Sequence, residues 1–112
     1  MKFNSFFFHD LYIGDFTNAR QYYKRAKDYL ALVRVHCHDK DYESAADVVL
    51  QTSNKSASYF LAQQHELNNN INDAIDFYSR AGRYNHAVRL GMFEIYIFID
   101  HFLHFTIIYL LL

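Results

Sequence analysis

Apolar residues recur along the middle of this chain as a stripe that alternates large and small side chains. Phe16, Ala19, Tyr23 and Ala26 fall at i, i+3, i+7 and i+10; Tyr42, Ala45, Val49 and Thr52 repeat that spacing, and Ile71, Ala74, Tyr78 and Ala81 repeat it again. The period places each set on one face of a helix. Alanine lets a second helix come close, and the neighbouring Tyr or Val fills the space beside the crossing. Between these stripes, Tyr29, Leu32, Val33 and His36 form one apolar face, and Ala57, Phe60, Leu61 and Gln64 begin another. Turn formers punctuate at Asp39-Lys40-Asp41, Thr52-Ser53-Asn54-Lys55, Asn68-Asn69-Asn70 and Gly82, with Ser56 and Asn70 or Asn72 as candidate N-caps. The pattern predicts helices over 15–27, 28–38, 42–52, 56–68, 71–81 and 84–91.

The helices are copies of one another. Ala19, Tyr23, Arg25, Ala26, Tyr29, Val33 and Arg34 return 55 positions later as Ala74, Tyr78, Arg80, Ala81, Tyr84, Val88 and Arg89. A fainter copy lies between them, where Asp15-Phe16-x-x-Ala19 is echoed by Asp41-Tyr42-x-x-Ala45. Periods of this size mark stacked supersecondary units, each of which buries its apolar face against a neighbour. The expected fold class is therefore all-α, an α-solenoid of antiparallel helical hairpins. Phe16 and Tyr23 at one end, and Tyr84 and Val88 at the other, are expected to lack a covering repeat.

Leu61-Ala62-x-x-His65-x-x-x-Asn69-x-Ile71-x-x-Ala74-x-x-x-Tyr78-x-x-Ala81 resembles a tetratricopeptide repeat in spacing, and Gly14, Phe16, Ala19, Tyr23 and Ala26 match its second half. More narrowly, the run from Asp15 to Leu90, above all Ala26–Cys37 and Ser56–Gln64, resembles the solenoid of the WD40–tetratricopeptide subunits of intraflagellar transport complex A. The resemblance covers about two-thirds of the chain and rests on packing positions. It implies a non-catalytic scaffold that binds other protein subunits of a transport complex, serving retrograde ciliary transport and cilium assembly. The location it implies is the cilium and cytoplasm, at the axoneme and ciliary base.

Both ends depart from the repeat. The pattern fails before Gly14 and again after Leu90, which divides the chain into an apolar segment 1–13, helical repeats 14–91 and an apolar tail 92–112. Gly91-Met92-Phe93 can be encoded with an intron-like start, and Phe6-Phe7-Phe8 followed by Ile13-Gly14 with an intron-like end. Both outer segments are thus expected to be translated intron around one exon of a longer gene. Alternatively, the tail makes the chain a small tail-anchored membrane protein with a helical cytosolic head: Phe93–Leu112 is long enough to span a bilayer, although Asp100 sits near its centre. In the solenoid reading the tail can also fold back over the exposed end as a cap.

Charge and composition narrow the chemistry. With 11 Lys+Arg against 12 Asp+Glu and alternating signs, the chain has no concentrated basic field, and nucleic acid is not expected as a partner. Tyr22-Tyr23 beside Lys24-Arg25 reads as a core Tyr23 next to a solvated Lys24. One cysteine, Cys37, excludes an internal disulfide and fits a reducing compartment. His36-Cys37-His38 with Asp39 and Asp41 has metal-ligand residue types, but neighbours on a helix point about 100° apart. No metal site is expected there: His36 should line the hairpin, Cys37 fill the core and His38 meet water. His65-Glu66 lacks a nucleophile at a suitable spacing, and there is no glycine-rich phosphate loop, so no enzyme, cofactor or small-molecule substrate is expected. The repeated arginines Arg34 and Arg89 are the candidate partner contacts, their alternative role being a bond to helix-end carbonyls or to an acid in the next hairpin.

Overall fold

The computed structural model describes residues 16–112, and among them the chain forms six helices and no strand. They are α1 (Phe16–Ala26), α2 (Tyr29–His38), α3 (Tyr42–Thr52), α4 (Lys55–Leu67), α5 (Ile71–Arg80) and α6 (Tyr84–Leu111). The expected segment 1–13, together with Gly14 and Asp15, lies outside the described residues.

Each break between helices is built locally. Lys27, Lys40, Ser53, Asn69 and Gly82 carry positive φ, between 53° and 75°, which ends the preceding helix in a left-handed residue. At four of the five turns the next amide bonds back five residues: Asp28 to the Tyr23 carbonyl, Asp41 to His36, Asn70 to His65 and Arg83 to Tyr78. This is the Schellman closure, which satisfies helix-end carbonyls that would otherwise be orphaned. Asp28, Asp41 and Asn54 then cap the following helices by accepting from the amides of Ala31, Ser44 and Ala57. The cap of α4 is thus Asn54 and not Ser56; Asn70 holds the cap position of α5 without a side-chain bond.

Contacts run between near neighbours in the chain. α1 packs on α2, α2 on α3 and α4, α3 on α4, α4 on α5, and α5 on α6. The contact of α2 with α4, two helices along, turns a row of hairpins into a stack. Val33, Ala45, Val49, Ala57, Leu61, Ala62, Ala74 and Tyr78 form the main core, and Ala19, Tyr23, Leu32 and Val35 a second one beneath α1. Fully burying a side chain such as Leu61 contributes about 1.5–3 kcal/mol relative to leaving it in water. Inside the stack, Ser58 donates from Oγ to the carbonyl of Phe77 at 2.7 Å, tying α4 to α5.

Tyr23 is in the core, as expected, where Leu32 and Val35 of α2 cover it, while Phe16 is half-buried. Three other expectations change. Ala26 is exposed, unlike its copy Ala81. The last helix does not end near 91; it runs unbroken to Leu111 and leaves the hairpins behind, giving a molecule 66 Å long. The tail does not fold back as a cap.

Candidate protein-binding surface

α2, α4 and the start of α6 share one face of the stack, and that face carries arginine over aromatic rings. The guanidinium of Arg34 lies 5.5 Å from the ring centroid of Phe60, and that of Arg83 lies 4.8 Å from the centroid of Tyr59. Between them is a groove of about 370 Å³ lined by Leu30, Arg34, Lys55, Tyr59, Phe60 and Arg83, with no acidic side chain in its wall. A cationic and apolar groove of this kind attracts a carboxylate beside a ring or an alkyl chain.

The groove is held in place from behind. Tyr59 touches Tyr78 and His86 at 5.7 and 5.8 Å, and Tyr78 stacks on His86 at 4.9 Å. The Tyr78 hydroxyl donates to Glu66 at 2.7 Å, and Arg89 donates to both oxygens of the same carboxylate at 3.2 Å. Tyr78's hydrogen bond, seconded by Arg89, holds the Glu66 carboxyl below its usual range against the opposing effect of burial. Burial first, and then that bond, pushes the Tyr78 phenol well above its ordinary value. Glu66 thus fastens α4 to α5 and α6.

The two repeated arginines therefore serve different ends. Arg34 faces the groove, whereas Arg89 is drawn to Glu66 of α4, an acid of the preceding hairpin. Neither bonds a helix-end carbonyl. His65 and Glu66 diverge: His65 is buried, stacked on Phe77 at 5.5 Å and 7°, with burial lowering its pKa. Sequence reading passed over Tyr59, Arg83 and His86; the signal available was the repeat itself, which brings Tyr78 beside the next helix.

His36, Cys37 and His38 separate in the same way. His36 is half-buried with Nδ1 4.0 Å from Asp41, its pKa lowered chiefly by burial. Cys37 is buried, which pushes its thiol up to about 12. His38 meets water and the edge of Phe16 at 5.3 Å. Among the described residues no group of three or more His, Cys, Asp or Glu is placed to hold a metal ion.

On the outer side of α6 a second, more open groove of about 1130 Å³ is lined by Ile71, Tyr84, Val88, Met92 and Tyr96 among others, and is almost wholly apolar. Tyr84, Val88 and Met92 are the copies of Tyr29, Val33 and Cys37. In α2 that stripe belongs to the core shared with α3 and α4. In α6 it lies open: Val33 is 0% exposed and Val88 58%, Cys37 5% and Met92 66%.

Paired helices with a left-handed residue at each turn and a large–small stripe on every second helix define a stack of tetratricopeptide type. The family model of the TPR domain shared by intraflagellar transport proteins 140 and 172 matches residues 8–101, most of the chain. The protein belongs to that family, whose TPR fold is a protein-binding scaffold.

Proposed function

We propose that this chain is a non-catalytic section of the intraflagellar transport complex A scaffold, of the kind found in intraflagellar transport protein 140. Its role is to hold other protein subunits during retrograde ciliary transport and cilium assembly, at the ciliary base and along the axoneme. The family match supports the transport assignment, and the stretches Ala26–Cys37 and Ser56–Gln64 favour complex A.

The observation that carries the binding role is the groove walled by Arg34, Tyr59, Phe60 and Arg83. Its wall contains three cations and no carboxylate, so the complementary partner presents an acidic side chain next to an apolar one. Desolvated contacts of this type contribute about 1.5–3 kcal/mol each. The chain mixed with purified complex A subunits should co-elute with at least one of them, and Arg34→Glu with Arg83→Glu should weaken that binding about tenfold or more. Binding to complex B subunits in place of complex A would reassign the segment; no change on reversing both charges would discard the groove.

A further inference from the structure

The part of α6 beyond the hairpins has a sidedness that mean hydropathy hides. From Met92 to Leu112 the acidic and histidine residues are Glu94, Asp100, His101 and His104. At 3.6 residues per turn these four fall within one arc of about 120°. That arc lies on the same side of the helix as Ala87 and Leu90, through which α6 sits on the core. The remaining arc of about 240° contains no Asp, Glu, His, Lys or Arg. Its residues are exposed, Ile95, Phe98, Phe102 and Leu103 among them. Its one threonine, Thr106, turns its hydroxyl back to the carbonyl of Phe102 at 2.8 Å.

We infer that α6 beyond Gly91 is a membrane-surface helix, lying along a lipid bilayer with its wide apolar arc among the acyl chains. The arc with Glu94, Asp100, His101 and His104, which Phe93, Ile97, Ile108 and Leu111 share, lies on the side of the hairpin stack, so these four groups and the stack both stay in water. Three occupants can be weighed against the shape of the apolar surface. A second copy of the helix covers a stripe of roughly 100°, less than half of the exposed arc. A span across the bilayer covers the whole circumference, but it also sinks Asp100 near the midplane at about 2.5–3.5 kcal/mol, with two histidines beside it. A surface location immerses the apolar arc and leaves those four groups hydrated. Tyr96 and Tyr109, each with an apolar ring and a polar tip, suit that depth. The groove at Tyr84, Val88 and Met92 opens on the same side as the apolar arc, so the first turns of the helix continue the membrane face.

The test uses the full chain with vesicles of phosphatidylcholine, with and without phosphatidylserine. The chain has no tryptophan, so a single introduced one reports its own surroundings. The protein should float with the vesicles and be released by alkaline carbonate. Phe102→Trp should shift to the blue and be quenched by brominated acyl chains, while the adjacent His101→Trp stays open to aqueous iodide. Ile99→Glu, an exposed position whose change leaves the hairpins alone, should lower the bound fraction about tenfold or more. Resistance to carbonate would overturn the proposal in favour of a span. Shielding of both reporters in vesicle-free dimers would overturn it in favour of a second copy, and failure to float would end it.

Discussion

α2 and α6 are copies of one helix with opposite fates. Both carry Tyr, Val and Arg at matching places, and both put a small or aliphatic residue, Leu32/Ala87 and Val35/Leu90, into the core. They differ in how the helix is continued. α2 meets Asp39-Lys40-Asp41, where Lys40 turns left-handed and Asp41 caps the next helix, so the chain folds back and Tyr29, Val33 and Cys37 join the core shared with α3 and α4. At the same places α6 has Glu94-Ile95-Tyr96, with neither a turn former nor a cap, and the helix runs on. A residue's burial in such a stack is decided less by its own type than by whether its helix is told to stop.

That contrast can be broken most severely at the support both helices need. Ala74 is fully buried where α5 crosses the core. Ala74→Arg should cost about 3 kcal/mol or more, because a long cation must enter a tight crossing. Loss of the cooperative melt in circular dichroism checks it, and a mutant that melts like the parent would refute the packing described. Next comes the matched pair. Val33→Ala should cost about 2 kcal/mol, from two methylene-sized groups and the space they leave. Val88→Ala should stay within about 0.5 kcal/mol. Equal shifts in denaturant midpoint would mean that Val88 is covered in solution.

The stop signal itself can be transplanted. Ile95→Gly with Tyr96→Asp imitates Lys40-Asp41 within α6 and should end the helix near Glu94. Glycine in a helix interior costs about 1 kcal/mol, and loss of the helix beyond it would show as reduced ellipticity at an unchanged hairpin melt. A smaller effect concerns protons. Burial holds His65 below its ordinary pKa of 6.5, so as pH falls the unfolded chain takes up that proton first. Stability is complete above that value and declines as pH drops through it toward the folded pKa. His65→Phe, which keeps the stack on Phe77, should flatten the loss of denaturant midpoint between neutral and mildly acid pH. His36, shifted in the same direction, should leave a residue of it.

The helices and their inward faces were legible because their signals are local and repeated: Ala19, Tyr23, Ala45, Leu61, Ala74 and Tyr78 are all buried at the stripe positions. Other features depended on neighbours that no stripe reveals. The cap moved from Ser56 to Asn54 because Ser53, in the left-handed region, had already ended α3. Ala26 matches Ala81 in type and differs in burial. Glu66 could be named as an acid but not as the hub that gathers Tyr78 and Arg89, since those residues come from two other helices. The helix runs through Gly91 without a break; what differs beyond it is the exposure of its side chains and not its backbone.

Among the described helices none touches another more than two places along the chain. Chain closure is therefore short everywhere, which favours rapid folding from any hairpin outward. The same feature governs how the molecule yields to force. Among the described residues there is no long-range clasp that must break first under pulling, so hairpins should peel away one after another at modest load. Such a segment stretches in steps and recoils quickly, as a spring does in series with whatever it joins.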